Sequence, residues 1–290
     1  MSKNPLAEVF GFPTSSQSKE AKRYRKLRLC PYNNNNPNCT KDKAKAPLGV
    51  CSVHYNEYVT IVCPVRFRQD WLVAEDAARF FFPESAAWTS LTEVCLKDKH
   101  GKDAGIIDVV LVSYDDKGQI LDFGALEVQA VYISGNLRQP FEHYMKEQAK
   151  PLDWSGHNLY PRPDYLSSSR KRLVPQLLYK GSILNTWRKK LAVAVDTHLY
   201  NTLPTLPVVS PEKADVAWLI YDLAYDSSSD RFRLTLKETV YTQFKPVLDK
   251  ITLAEPGPMK DFIDQLQDKL EEKLDSNPPD APPEGLTLTS

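Results

Sequence analysis

Two runs of branched apolar side chains, Ile106 to Val112 and Ile120 to Ile133, flank the polar stretch Asp115-Asp116-Lys117-Gly118. A turn sequence between β-formers predicts a single hairpin. With Asp115 to Gly118 as its loop, Tyr114 faces Gln119 and Asp108 faces Ala125. Side chains alternate across a strand, so Asp108, Ala125, Glu127 and Gln129 share one face, with Asp108 and Glu127 as diagonal neighbours. A bulge at Gly124 would shift that register.

The same patterning predicts the other elements. Residues 70–96 read as helix, DWLVAEDAARFF, then a break at Pro83, then SAAWTSLTEVCLK, which carries Glu93 and turns Cys95 into the core. LRQPFEHYMKEQ predicts a short helix packed on the sheet, and Leu173 to Trp187 an amphipathic helix with a basic face. LAVAVD (191–196) is a buried strand, and VAWLIYDLAYD with RFRLTLKETVY forms a second hairpin. In the helix predicted from Met259 to Leu274, Phe262, Leu266, Leu270 and Leu274 recur every four residues, a stripe suited to the core or to a second subunit. The fold class is therefore α/β, a mixed central sheet flanked by helices. Three regions are expected: an N-terminal basic arm with a cysteine segment (1–69), a main domain (70–275) and a disordered tail (276–290).

Charge changes this picture at two places. The totals cancel, 37 bases against 37 acids, which argues against nucleic acid unless the bases cluster. They do. Residues 17–28 hold Lys19, Lys22, Arg23, Arg25, Lys26 and Arg28 against Glu20 alone. From Tyr165 to Val195 there is no acid, while Arg170, Lys171, Arg172, Lys180, Arg188, Lys189 and Lys190 supply seven bases, with Ser168, Ser169, Gln176 and Asn185 among them. Each cluster is open to two readings, a solvated helix face or a phosphate-contacting surface. No apolar run is long enough for a membrane span, and MSKNPLAEVFGF lacks a charged-then-apolar signal pattern, so the expected compartment is the cytoplasm.

Two groups of residues are candidates for chemistry. Asp108 and Glu127 are carboxylates set in apolar strands, where an unpaired charge costs several kcal/mol. Their company is either a structural base or a divalent cation held by hard oxygen ligands, with Gln129 positioning a water. Cys30, Cys39, Cys51 and Cys63 fall within 34 residues of a chain with five cysteines. In a reducing compartment they read as one tetrahedral thiolate site or as small buried hydrophobes, and His54 is a substitute ligand.

Asp108 in one strand followed by Glu127-x-Gln129 on its partner resembles the active site of the PD-(D/E)XK nucleases, with Gln129 where most of that family has lysine. The Gln variant, the following AVYISGNLR, the later SSSRKRLVPQLLYKG and the cysteine segment resemble the NotI-type restriction endonucleases over roughly residues 25–200. That resemblance implies a PD-(D/E)XK core plus a small cysteine-coordinated metal module. It implies magnesium on Asp108 and Glu127, with Gln129 assisting and Glu93 joining as a helical acid. It further implies a structural iron, or zinc on the same ligands, at Cys30, Cys39, Cys51 and Cys63. Double-stranded DNA would be held through Arg170, Lys171, Arg172, Gln176 and Lys180. The implied activity is that of a homodimeric type II restriction endonuclease cutting a short GC-rich palindrome. The rival readings are a structure-specific repair or mobile-element nuclease and a non-enzymatic, metal-stabilised DNA-binding module.

Overall fold

The computed structural model describes residues 3–33, 36–41, 46–146, 153–254 and 256–276. The chain divides into two compact units, Met1–Thr252 and Leu253–Ser290.

The first unit begins with a four-stranded sheet of β1 (Leu6–Val9), β2 (Phe12–Pro13), β3 (Val50–Tyr55) and β4 (Tyr58–Ile61), in the order β2-β1-β3-β4. Helix α1 (Lys19–Leu27), capped by the Ser18 hydroxyl, lies between β2 and β3. This sheet is tied to the rest of the unit by a buried ion pair. The Arg66 guanidinium reaches Glu8 of β1 at 3.1 Å and also donates to Gln69 Oε1 and to the carbonyl of Phe232. A buried charge pair is tolerable only when the remaining donors are satisfied in this way.

The central sheet is built from β5 (Trp88–Lys97), β6 (Asp103–Tyr114), β7 (Ile120–Gln129), β10 (Leu191–Asp196), β11 (Val216–Asp226) and β12 (Arg231–Thr242), while β8 (Tyr132–Ser134) and β9 (Arg162–Asp164) pair separately. Its order is β12-β11-β10-β7-β6-β5, with β10 parallel to both neighbours and the other pairs antiparallel. The sheet is therefore mixed, as the patterning predicts. Helix α2 (Leu72–Phe81) covers one face with Ala77, Ala78 and Phe81, packed against Val109, Leu111, Leu126 and Ala194. A helical run over 165–186 covers the other with Leu173, Leu177 and Leu184, packed against Val110, Val112, Ala125, Val193 and Val195. Helix α3 (Arg138–Lys146) buries Phe141 and Tyr144 against the N-terminal sheet, not on the central one.

Two expectations are corrected. Residues 88–97 form an edge strand, not a helix. Thr89, Thr92 and Val94 are stiff at χ1 and suit a pleated ladder, and β6 supplies the partner. Cys95 is exposed there, not in the core. The β6–β7 register is also displaced. Val110, not Asp108, pairs with Ala125, after a bulge between Ser113 and Tyr114 that lies nearer the turn than Gly124. The displacement is two residues, an even number, so the side chains keep their faces.

In the second unit, residues Met259–Ser276 form a helix whose Phe262, Leu266, Leu270 and Leu274 are all exposed. The tail read as disordered, 276–290, lies outside the described residues apart from Ser276. Among the described residues no helix is long and apolar enough to cross a membrane.

Candidate active site

The ladder between β6 and β7 runs out at Val109 and Leu126, which brings Asp108 level with Glu127 instead of diagonal to it. Both point to the face covered by the 165–186 run. Asp108 is half-buried, and its Oδ2 accepts the backbone N–H of Val128 at 2.9 Å. Glu127 is 1% exposed. Burial and the neighbouring Asp108 carboxylate push its pKa up to about 8, against the pull of Lys180. Its Oε2 accepts the Lys180 ammonium at 2.5 Å; its Oε1 is buried and has no hydrogen-bond partner when both acids are ionised, whereas a protonated Glu127 shares its proton with Asp108.

An orphaned buried carboxylate oxygen is expensive. The Glu127 carboxyl lies next to that of Asp108, and together they form the donor set a hard divalent cation takes when waters and phosphate complete its shell. The residues present fit such an ion. Gln129 is also buried, and its Nε2 donates to the carbonyl of Ala130 at 2.7 Å. Glu93 sits on β5 between Thr92, opposite Val109, and Val94, opposite Ile107, so it is at the level of Asp108. It is exposed, in the left-handed region at φ 57°, and on a strand instead of the expected helix.

The four cysteines converge. Cys30, Cys39, Cys51 and Cys63 line one cavity with Phe10 and Tyr32. Burial first, then repulsion from Cys63 and Cys39, pushes the Cys30 thiol up to about 11. The Cys51 thiol is pushed well up by burial, then by Cys63, Glu8, Cys30 and Cys39. Among the described residues no group of three or more His, Cys, Asp or Glu has the arrangement of a metal site. What the fold supplies is four thiols around one small space. His54 is not among the residues lining it.

The acid-free window splits in two. Arg170, Lys171 and Arg172 are exposed, and Arg172 stacks over the Tyr132 ring at 4.8 Å. Lys180, expected on a DNA-facing surface, is 4% exposed. Its ammonium donates to Glu127 and to the carbonyl of Ile106 at 2.8 Å. Gln176 is half-buried, and its Oε1 is buried without a partner. Ser168 and Ser169 are buried too, bonding to the carbonyls of Asp164 and Leu166. In the first basic cluster Arg25 is buried, donating to the carbonyls of Pro13 and Ser16, while its five companions are exposed.

Sequence reasoning missed the partnership of Lys180 with Glu127, although a signal was present. Lys180 follows Leu173 and Leu177 and precedes Leu184, on the apolar side of its own helix. A base on that side has to find a buried acid. It also missed Asp196 at the end of β10, whose two carboxylate oxygens accept the N–H groups of Ile61 and His198.

Comparison with known proteins gives a match to the family described as Restriction endonuclease NotI, over residues 15–234. No curated protein matches the chain.

Proposed function

We propose, since the chain belongs to the restriction endonuclease NotI family and is a site-specific deoxyribonuclease, that it is a type II enzyme whose cleavage centre is the Asp108–Glu127 pair. The observation that carries the reading is the buried Glu127 carboxyl, with Oε1 unpartnered while both acids are ionised and the Asp108 carboxyl beside it. Asp108 and Glu127 are the residues that would hold magnesium. When bound, the ion stabilises charge on the phosphate and acidifies water.

The chain's own groups do the positioning. The Val128 N–H fixes Asp108, and Lys180 fixes Oε2 of Glu127. Gln129 has committed its Nε2 to Ala130, which leaves Oε1 as an acceptor for a water proton. An amide donates no cationic proton, so Gln129 orients and does not replace the charge of a lysine.

Cys30, Cys39, Cys51 and Cys63 are the residues that would hold one iron or zinc ion, which would keep the N-terminal segment in shape and take no part in cleavage. Arg170, Lys171 and Arg172 are the exposed bases suited to the duplex, and arginine is the side chain best matched to guanine. The likeness to NotI-type enzymes implies that the site read is a short GC-rich palindrome. A palindrome is matched by a symmetric homodimer.

Digestion of DNA of known sequence, followed by sequencing of the ends, tests this reading. Discrete fragments sharing one palindrome are expected. Cutting confined to branched or flapped substrates would contradict it.

A further inference from the structure

We propose that Lys180 is the positioning cation of the cleavage centre, reaching from the 165–186 helix to Glu127. The inference rests on the Asp108–Glu127 reading and adds a residue to it. Its first support is the contact itself, Lys180 Nζ to Glu127 Oε2 at 2.5 Å, with Ile106 O at 2.8 Å as a second anchor.

The second support is independent. Gly105, at φ +128°, lies against the lysine stem, and a Cβ there would stand 3.3 Å from Lys180 Cδ. The backbone at the start of β6 is thus shaped to let this side chain through.

The third support is energetic. A buried acid–base pair is often no more stable than a well-packed apolar pair, so stability alone gives little reason to carry an ammonium among Leu173, Leu177 and Leu184. What the ammonium achieves is orientation. It occupies one oxygen of Glu127 and leaves the other, Oε1, as the only one available to a ligand. Lys180 acts through Glu127. At 4% exposed it makes no contact with a duplex lying on the surface.

The test compares single-turnover cleavage in magnesium, duplex affinity in calcium and thermal unfolding for wild type, Lys180→Met and Asp108→Asn. For a folded Lys180→Met the cleavage rate is expected to fall by about 100-fold, the cost of a misplaced reacting group. Duplex affinity should stay within about threefold, because no phosphate contact is lost. Wild-type cleavage by folded Lys180→Met, or a loss confined to affinity, overturns the proposal.

If Lys180→Met does not fold, Lys180→Met/Glu127→Gln removes the stranded charge and is compared with Glu127→Gln by prolonged nicking of supercoiled plasmid. Equal rates support action through Glu127. A further drop of about tenfold or more shows independent action and overturns it. Asp108→Asn separates the two claims. If it cuts like wild type, the cleavage centre itself is misplaced. If it is inactive while Lys180→Met cuts normally, only the lysine's role fails.

Discussion

Asp108 is fastened to the strand that carries Glu127, its Oδ2 accepting the backbone N–H of Val128 at 2.9 Å. That N–H lies beyond Val109–Leu126, where the backbone ladder ends, so the side chain continues the ladder in place of a carbonyl. Asp108→Ala leaves the donor without a partner, whereas Asp108→Asn keeps an acceptor oxygen. Chemical denaturation should find the Ala variant less stable than the Asn variant by about 1–3 kcal/mol. Equal stabilities would show that water replaces the carboxylate at no cost.

The cysteine cavity makes a separate prediction. Elemental analysis of purified protein should find one iron or zinc per chain, and Cys51→Ser should lose metal and thermal stability together. Binding must displace protons from thiols such as Cys30, raised to about 11, so loading should fall as the solution is acidified. Metal-free wild type that is as stable as the loaded protein would assign the cysteines to packing alone.

The elements set by long apolar alternation were legible. The β6–β7 and β11–β12 hairpins, β10 and α2 all follow from period and turn chemistry. The shared face of Asp108, Glu127 and Gln129 followed too, because an even register shift leaves parity intact. Residues 88–97 misled because a ten-residue apolar–polar mixture fits helix and strand alike, and the partner strand decided it. The short strands of the N-terminal sheet carry too few residues to show a period, and the Glu8–Arg66 tie spans 58 positions. Lys180 was read by charge when its place among leucines should have been read by face.

Asp196 gives a pH dependence. Burial pushes its pKa from 3.8 to about 7, opposed by the N–H groups of Ile61, His198 and Leu199. An acid raised in the fold keeps its proton where the unfolded chain has lost it. Its contribution is therefore most favourable below pH about 4, falls as pH rises to about 7, and is level above that. The whole effect is at most about 4 kcal/mol. Denaturation at pH 5 and pH 8 should show a smaller decline for Asp196→Asn than for wild type. Equal declines would show that Asp196 titrates alike in both states.

The exposed bases predict affinity. Arg170→Ala/Arg172→Ala should weaken duplex binding and lower the salt slope by about one unit for each phosphate contact removed. An unchanged slope would take this face out of the DNA interface. Lys180→Met should not alter the slope, since that side chain is buried.

The cleavage centre is tested most directly with supercoiled plasmid in magnesium, comparing wild type with Asp108→Asn. The variant keeps an acceptor for the Val128 N–H, but loses the charge that would hold a cation. Binding in calcium should match wild type while cleavage falls by about two orders of magnitude or more. An Asp108→Asn enzyme that linearises plasmid at the wild-type rate would contradict the account, leaving the acids of the hairpin a structural pair.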